Sequence, residues 1–540
     1  MGKHTKLELT WIGKDDRPRL EPRILIEDPE KSYHAPHRVS KNDIFDNILI
    51  HGDNLLALQA LEQGFTGKIK CMYIDPPYNT GSAFEHYDDG IEHSLWLSLM
   101  RDRLLILQRL LSDSGSVWVT LDDNEAHYFR VMADEIFGRP NFIADIAWQK
   151  KYSPGNNQKG ISSDHDHILV WAKDATKWDW NLLSRTSKQD KAYRNLDNDP
   201  RGPWKSSDLT RAEHRDRDYY PILTPSGKEA WPAKGRSWSR PPEEIERLRT
   251  DNRLWFGVNG DSKPSLKRFL NEVQEGVVAR TIWLRDEVGD NEQAKKEIKV
   301  LFPDDIFPTP KPERLIQRII HIASNANEIV LDSFAGSGTT GAVAHKMRRR
   351  WIMVELGEHC HTHILPRLTK VIDGKDPGGI TEAANWEGGG GFRYYRLGPS
   401  LIVEDAWGHP VINPAFNAAM LAEALCKLEG FTYAPSEEVF WMHGHSTEQD
   451  FIYVTTQFMS KEMLTRISDE VGPNRSLLIC CTAFRCDPSQ FLNLTLKKIP
   501  NAVLTRCEWG KDDYSLAVAN LPPRPVEPGT QTSLFEEAQL

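Results

Sequence analysis

The chain has 540 residues and a formal net charge of −10, with 27% charged and 39% hydrophobic residues. This length allows three to four domains of about 150 residues each, and the composition excludes both a disordered chain and one lying mainly within a membrane. No apolar run reaches the roughly 18–20 residues of a membrane span, and the first residues lack the apolar core of a signal peptide, so we expect a cytoplasmic protein without a membrane partner.

The acidic residues are unevenly distributed along the chain. Residues 401–540 hold 10 Lys and Arg against 18 Asp and Glu, whereas residues 181–300 hold 24 against 20. DNA binding needs a basic face rather than a basic total, so the net charge does not exclude nucleic acid. We expect the acidic C-terminal region to avoid DNA and to contact another protein or a second copy of this chain.

The first half of the chain alternates strands with helices. After a polar arm at 1–44, the pattern predicts strands at 48–50, 70–74 and 116–121 and helices at 55–61, 94–112 and 124–137. This alternation is typical of an α/β fold with a parallel, doubly wound sheet. The alternation stops at about residue 176 and resumes at about residue 301, so we interpret the stretch 176–300, rich in Trp, Arg, Pro and Gly, as an inserted module.

The second half predicts a return to the sheet and then a separate small domain. Strands are predicted at 328–331 and 351–354, with a glycine loop and a helix between them. Four glycines beginning at Gly388 predict a linker at 388–400. A small α/β domain is predicted at 401–521, with strands at 451–456, 476–482 and 502–507 and a helix at 461–471, before a flexible tail at 522–540.

A proline-containing motif, Asp75-Pro76-Pro77-Tyr78, directly follows the predicted strand 70–74. Open α/β sheets bind their ligands at this end of the strands. The prolines remove two backbone donors, which leaves the Asp75 carboxylate and the Pro76 carbonyl as acceptors beside the ring of Tyr78. Such a group suits a planar base with an exocyclic amine. A proline turn without a ligand is the alternative interpretation.

A glycine-containing motif follows the predicted strand 328–331 and runs from Asp332 through Gly336 and Gly338 to Thr340. Glycines there allow a close approach of the backbone to a ligand. The motif lacks the third glycine of the dinucleotide fingerprint and the Walker lysine, which disfavours NAD and nucleoside triphosphates. Glu355 follows Gly336 by 19 residues and ends the next strand, where an acid accepts hydrogen bonds from ribose hydroxyls. A glycine-rich turn without a ligand is the alternative.

The two motifs in this order resemble those of the beta class of S-adenosylmethionine-dependent amino-methyltransferases of DNA. Residues 75–81 resemble in particular the modification (Mod) subunits of type III restriction–modification systems. The resemblance covers about 45–175 and 300–370 and implies a Rossmann-like methyltransferase sheet. It implies a catalytic half at 45–175, a target-recognition insertion at 176–300 and a cofactor half at 301–387. The implied reaction is methyl transfer to N6 of a flipped adenine in double-stranded DNA.

The resemblance also implies roles for individual residues. Asp75, Pro76, Pro77 and Tyr78 are implied to form the catalytic group that grips the adenine. The implied S-adenosylmethionine-binding residues are Asp53, Lys311, Asp332, Phe334, Gly336, Gly338, Thr339, Thr340 and Glu355. Among these, Asp53 is implied to contact the cofactor adenine and Glu355 the ribose.

Several alternatives and partners stay open at this point. Cytosine-N4 methylation, a non-catalytic DNA-recognition subunit that guides a nuclease, and an RNA or protein-glutamine methyltransferase are the alternative functions. The resemblance permits a homodimer and a helicase–nuclease restriction subunit. The tail residues Gln531, Leu534 and Phe535 resemble a peptide that binds the replication sliding clamp. The basic, Trp-containing stretch 201–256 is our candidate for sequence recognition.

We expect no metal site. His359, Cys360, His361 and His363 lie in a helical context without a partner cluster. Cys480, Cys481 and Cys486 are interpreted as strand and turn residues rather than as zinc ligands.

Overall fold

The computed structural model describes residues 8–77, 89–153, 160–185, 190–273 and 276–515. Its contacts divide the chain into two compact units, one formed by residues 1–181 and 280–540 and the other by residues 182–279. The second unit falls within the predicted insertion at 176–300. The finer division into arm, C-terminal domain and tail stays a prediction.

The described helices and strands are numbered in chain order. The helices are α1 (Asn54–Phe65), α2 (Asp89–Leu110), α3 (Ala126–Ala133), α4 (Pro242–Thr250), α5 (Arg285–Val288), α6 (Asn291–Leu301), α7 (Glu313–Ala323), α8 (Thr339–Lys346), α9 (Leu365–Ile372), α10 (Ala418–Glu429) and α11 (Lys461–Val471). The strands up to residue 269 are β1 (Leu25–Glu27), β2 (Tyr33–His34), β3 (Asn47–His51), β4 (Ile69–Ile74), β5 (Leu111–Leu121), β6 (Phe142–Gln149), β7 (His165–Ala172), β8 (Trp204–Asp208), β9 (Thr210–Arg211), β10 (Ile222–Leu223), β11 (Glu229–Ala230), β12 (Ser237–Trp238), β13 (Leu254–Trp255) and β14 (Ser265–Phe269). The later strands are β15 (Ile282–Trp283), β16 (Ile329–Asp332), β17 (Arg350–Glu355), β18 (Gly391–Leu397), β19 (Ile402–Glu404), β20 (Pro410–Ile412), β21 (Thr432–Tyr433), β22 (Gly444–His445), β23 (Asp450–Val454), β24 (Phe458–Met459), β25 (Ser476–Cys481), β26 (Ala483–Phe484) and β27 (Leu494–Lys498).

A large, mostly parallel sheet forms the centre of the first unit. Its strand order is β1–β18–β3–β17–β16–β4–β5–β7–β6–β15, with β2 beside β18. The strands from β18 to β5 run parallel, whereas β7 is antiparallel to both β5 and β6. Every residue of β4 is buried, as expected of a parallel strand covered by helices on both faces. The predicted doubly wound α/β fold is confirmed.

The core of this sheet is formed by apolar residues that recur at strand and helix periods. Met72 on β4 and Leu331 on β16 are fully buried, and Leu56 of α1 and Leu104 of α2 belong to the same cluster. Burial of each such side chain contributes about 1.5–3 kcal/mol. The described part of the N-terminal arm also packs here, through Trp11 among others.

The glycine stretch at Gly388 differs from the predicted linker. Gly391 begins β18, which pairs with β3 inside the large sheet. An added Cβ at Gly389 would come within 2.7 Å of the Asp43 carboxylate, and one at Gly390 within 2.6 Å of the Ile44 carbonyl. Gly389 therefore leaves room for the Asp43 side chain, and Gly390 allows its backbone to approach that of Ile44 closely.

The C-terminal region contains a second sheet, in the order β21–β22–β23–β25–β27. Helix α11 has the bounds predicted from the sequence. The prediction of a strand at 502–507 is wrong: the third parallel strand is β27, and residues 502–507 form turns. Val503 is buried in the core nevertheless, so its apolar pattern reflects packing, and a short apolar run alone does not specify a strand.

The second unit consists of short antiparallel strands around a small core. Strands β13, β14 and β8 pair in that order, and α4 contributes Ile245 and Leu248 to a cluster with the buried Trp238. Among the described helices of the whole chain, none has the length and apolar character needed to cross a bilayer.

Candidate active site

A cavity of about 370 Å³ opens at the carboxyl edge of the large sheet. We call it the central cavity. It is lined by residues that follow four parallel strands: Asp53 and Asn54 after β3, Asp75 and Pro77 after β4, Ser333, Phe334 and Gly336 after β16, and Glu355, Leu356 and Gly357 at the end of β17. The remaining lining residues are Leu99, Arg103, Val354, His359 and Ser515. The volume lies in the usual range for small-molecule sites, about 300–1,000 Å³.

A smaller recess of about 100 Å³ shares Asp75, Phe334 and Gly336 with the central cavity. Its further lining residues include Lys311, Asp332, Thr339 and Thr340. The two spaces together bring most of the predicted site residues next to one another. Tyr78, predicted to stack on a base, lies outside the described residues, as do Gln531, Leu534 and Phe535.

The Asp75 turn is held by two side chains from other elements. The Lys311 ammonium forms an ion pair with the Asp75 carboxylate. Trp96 of α2, fully buried, donates from Nε1 to the Pro77 carbonyl at 2.9 Å. The resemblance implies that Lys311 is a cofactor ligand. The residue lines the smaller recess, and its charge lies against the Asp75 carboxylate of the predicted catalytic group.

The glycine loop is organised by the buried Asp332 carboxylate. Asp332 accepts hydrogen bonds from the Phe334 amide at 2.9 Å and from the Thr340 hydroxyl at 2.5 Å. Burial raises the pKa of Asp332 to about 7, and the nearby Asp75 and Glu355 carboxylates act in the same direction against those two hydrogen bonds. The bonds fix the loop between β16 and α8.

Two glycines give this loop its shape. Gly336 and Gly338 have φ of +53° and +74°, in the left-handed region that favours glycine. A Cβ at Gly338 would approach Ile364 to 3.2 Å, whereas a Cβ at Gly336 would meet Phe307 only at 3.5 Å. Gly338 therefore serves the packing of the loop, and Gly336 lies on the cavity wall.

Glu355 ties the end of β17 to the glycine loop. Its carboxylate accepts from the Gly336 amide at 2.8 Å and from the Gly357 amide at 2.9 Å, and it pairs with His359 at 2.9 Å. Burial raises the pKa of Glu355, but these hydrogen bonds outweigh it and leave the pKa below its usual value. A carboxylate offers about four acceptor positions, so one remains for a ligand.

Asp53 is buried and its acceptor positions are filled. Oδ1 caps α1 by accepting from the Leu55 and Leu56 amides, and Oδ2 accepts from the Tyr514 amide at 2.9 Å and from Arg103 at 3.4 Å. The carboxylate that was predicted to contact a cofactor adenine thus joins α1, α2 and the C-terminal segment.

Sequence reasoning missed several lining residues. Arg103 interrupts the apolar stripe of α2, four residues after Leu99 and four before Leu107. A charged residue at such a position indicates a buried ion pair, which Arg103 forms with Asp53. Asn54 donates from Nδ2 to the Ser333 carbonyl at 2.7 Å, which joins α1 to the glycine loop. Nothing in the sequence indicated Ser515.

The His359-to-His363 segment does not converge on one point. Its three histidines reach different partners: the Glu355 carboxylate for His359, the Tyr394 hydroxyl for His361 and the Asp305 carbonyl for His363. In the described part of the chain, ligand atoms of His361 do lie within 4.8 Å of those of His51 and Glu358. Cys360 is buried, and burial raises its pKa to about 12.

A second group of possible ligands consists of Asp123, His127 and His167. His167 contacts the Asp145 carboxylate at 2.9 Å and the Asp123 carboxylate at 3.0 Å with its two ring nitrogens. The hydrogen bond to Asp145 and then that to Asp123 outweigh burial and raise the pKa of His167 to about 9. A charged imidazolium between two carboxylates accounts for this cluster.

Comparison with known proteins agrees with this arrangement. The family model described as DNA methylase matches residues 69–365, a span that includes both the Asp75 turn and the glycine loop. The chain belongs to the DNA methylase family. The sequence-based resemblance to type III modification subunits is confirmed by the relatives of this DNA methylase.

Two curated relatives are type III modification subunits. The StyLTI Mod subunit of Salmonella typhimurium is 31% identical over 368 residues, which is 62% of this chain and 55% of the relative. The probable HindVI Mod subunit of Haemophilus influenzae is 30% identical over 407 residues, which is 66% of this chain and 54% of the relative. The chain therefore spans about half the length of these relatives.

One of the similar solved structures is a putative DNA modification methylase from Thermus thermophilus complexed with S-adenosyl-L-methionine. Its sequence is 17% identical, the match covers 65% of this chain and all of that one, and the TM-score is 0.32.

Proposed function

We propose that this DNA methylase transfers a methyl group from S-adenosylmethionine to N6 of adenine in double-stranded DNA. One observation carries the proposal. Asp75 and Pro77, from the motif suited to an exocyclic amine, line the same cavity as Phe334, Gly336 and Glu355 from the motif suited to a nucleoside. A methyl donor and its acceptor must share one space, because direct transfer requires the reacting atoms about 3–3.5 Å apart.

The residues of the central cavity fit S-adenosylmethionine. The Ser333 hydroxyl is buried and has no hydrogen-bond partner among the described residues. Glu355 retains an acceptor position. The side chains of Phe334, Leu356 and Val354 form an apolar part of the cavity wall. A nucleoside with hydroxyl groups and a flat base matches such a mixture of polar atoms and apolar surface.

The chain's own residues would act by positioning and by electrostatics. When bound, S-adenosylmethionine supplies a methyl group on a sulfonium sulfur. Asp75 and the Pro76 carbonyl accept the two N6 protons of adenine and thereby aim the nitrogen lone pair at the methyl carbon. Ser333, Phe334, Gly336 and Glu355 would hold this cofactor, whose sulfonium sulfur would give up the methyl group and keep the electrons of the broken S–C bond. The cationic N6 would then lose a proton readily, and Asp75 would be its acceptor.

Lys311 and Trp96 act on this group indirectly. The ion pair with Lys311 fixes the direction of the Asp75 carboxylate, and the hydrogen bond from Trp96 fixes the Pro77 end of the turn. Such preorganisation avoids reorienting the acceptors during the reaction.

The preference for adenine rests on the first residue of the motif. Cytosine-N4 enzymes of this class more often carry Ser at that position, where this chain has Asp75. The type III modification relatives support a role in restriction–modification or phage defence. On the same ground we propose a helicase–nuclease restriction subunit and a second copy of this chain as partners, with the acidic C-terminal region as the contact surface.

The test is methyl transfer from labelled S-adenosylmethionine to unmethylated genomic DNA, followed by nucleoside analysis. We expect N6-methyladenine from the wild type and a loss of about a hundredfold or more in rate for Asp75→Ala. Asp286→Ala removes an exposed aspartate outside the cavity and serves as the matched control.

Each other outcome selects a different function. N4-methylcytosine as the product would establish the cytosine alternative. Cofactor binding without any transfer, with the DNA still bound, would favour the non-catalytic recognition subunit.

A further inference from the structure

The last described residues of the chain return from the C-terminal region to the large sheet. We call residues 508–515 the C-terminal strap. The Glu508 amide donates to the Arg19 carbonyl at 2.8 Å, and the Gly510 amide donates to the Ser400 hydroxyl at 2.9 Å. Arg23, 2% exposed, forms an ion pair with Asp512 of the strap. The strap is thus tied to the N-terminal arm and to the segment after β18.

The end of the strap reaches the central cavity. The Tyr514 amide donates to Asp53 Oδ2 at 2.9 Å, and the Tyr514 carbonyl accepts from Arg103 at 3.2 Å. The Tyr514 ring is 9% exposed and belongs to the core cluster of the large sheet. Ser515, the next residue, lines the cavity together with Asp53 and Arg103.

The burial of Asp53 and Arg103 makes these bonds costly to break. Both side chains are at most 2% exposed, and they face each other at 3.4 Å. Removing the strap would leave a buried carboxylate oxygen and a buried guanidinium each short of one partner. A buried polar group without a hydrogen-bond partner destabilises the folded state, and the more so if the group is charged. The strap is therefore a fixed part of the cavity rather than a loose end beside it.

We propose that the C-terminal strap is a wall of the cofactor site, so that affinity for S-adenosylmethionine depends on Tyr514 and Ser515 as well as on the motif residues. This inference rests on the proposed function. The cavity of about 370 Å³ exists with the strap in place, so the strap bounds the space for the cofactor without filling it. The C-terminal region would then have a second role besides the proposed protein contacts: it completes the site of the methyltransferase sheet.

The experiment measures the Kd of S-adenosylmethionine and of S-adenosylhomocysteine by titration calorimetry on the full chain. We expect Tyr514→Ala to weaken both at least tenfold, because loss of the ring releases the strap from the core. Tyr433→Ala removes a partly buried tyrosine of the C-terminal core, outside the cavity, and serves as the matched control. Far-UV circular dichroism and Tm establish that each variant is folded.

A second variant and a second measurement cover the case in which Tyr514→Ala does not fold. Ser515→Trp adds bulk to the cavity wall and is expected to weaken binding at least tenfold without removing any core residue. Hydrogen exchange is expected to show slower exchange of the amides of residues 510–515 when S-adenosylmethionine is bound.

The failures of the two proposals are distinguishable. Wild-type protein that binds no S-adenosylmethionine overturns the proposed function and this inference together. Wild-type protein that binds the cofactor, with folded Tyr514 and Ser515 variants of unchanged or tighter Kd and unchanged exchange of the strap, overturns this inference alone.

Discussion

The carboxylate of Asp75 is paired with the ammonium of Lys311, and their side chains are 22% and 10% exposed. Loss of a lysine that orients this carboxylate lowers the rate of methyl transfer, whereas loss of a lysine that binds the cofactor weakens the affinity for S-adenosylmethionine. We expect Lys311→Ala to lower the single-turnover methylation rate about tenfold to a hundredfold, because a misplacement of about 1 Å can cost that much. The Kd of S-adenosylmethionine is expected to change less than about threefold.

The control for this prediction is Lys296→Ala. Lys296 pairs with Glu292 on the exposed face of α6, so its loss should change neither quantity. A weaker Kd with an unchanged single-turnover rate for Lys311→Ala would show that Lys311 is a cofactor ligand, as the family resemblance implies.

At the scale of residues, the sequence predicts those cavity-lining residues that belong to a short motif directly after a strand. Asp75, Gly336 and Glu355 were found because the carboxyl ends of parallel strands meet at one edge, so local order implies proximity. Trp96 and Ser515 were not found, because each acts on a residue far away in the sequence. A tryptophan on an amphipathic helix indicates only core packing, and the hydrogen bond from Trp96 to Pro77 exists only once β4 and α2 have packed together.

At the scale of elements, the junction of β16 and α8 depends on Gly338. We expect Gly338→Ala to lower the free energy of unfolding by about 2–4 kcal/mol and to weaken cofactor binding. The left-handed backbone itself costs a non-glycine residue about 1–2 kcal/mol. The remainder comes from the Cβ, which would stand 3.2 Å from Ile364 in a packed core. Chemical denaturation and calorimetric titration measure the two effects.

Gly430→Ala separates backbone strain from crowding. Gly430 ends α10 with φ of +80°, and a Cβ there would meet no atom within 4 Å. We expect it to cost only about 1–2 kcal/mol and to leave cofactor affinity unchanged. Equal losses of stability for the two variants would contradict a packing role for Gly338.

Elements with a strong repeating pattern were predicted well, and those defined by distant pairing were not. Helix α11 matches its prediction because its apolar residues recur at the helical period and Ser460 caps its start. Strand β18 lies where the sequence predicts a linker, because the glycines before it suggest flexibility. Those glycines serve a close approach to Asp43 and Ile44, which lie some 345 residues earlier in the chain.

At the scale of the whole molecule, the second unit is the candidate DNA-reading surface. It carries 19 Lys and Arg against 15 Asp and Glu, although the chain as a whole is acidic. Several of its arginines are paired internally, for example Arg236 with Asp208. Among the described residues, Lys234 and Arg240 are exposed and have no carboxylate within ion-pair distance.

We expect the double variant Lys234→Ala/Arg240→Ala to weaken DNA binding uniformly across sequences. Each lost phosphate contact should reduce the slope of log Kobs against log salt concentration by about 0.9. Arg247→Ala is the control, since Arg247 pairs with Glu244 at 2.6 Å. An unchanged salt slope for the double variant, measured by fluorescence anisotropy, would exclude these two residues from the DNA contact.

The order of strands in the large sheet has a consequence for the biosynthesis of the protein. Strands β3 and β4 leave the ribosome one after the other, yet β17 and β16 lie between them in the finished sheet. Those two strands emerge about 250 residues after β4, which takes roughly 10–50 seconds at about 5–20 residues per second. Until then the facing edges of β3 and β4 have no neighbours, and unpaired strand edges invite pairing with other chains. The large sheet of a nascent chain is therefore incomplete until translation has passed residue 397, where β18 ends, and the central cavity lacks Ser515 until the C-terminal strap has been made.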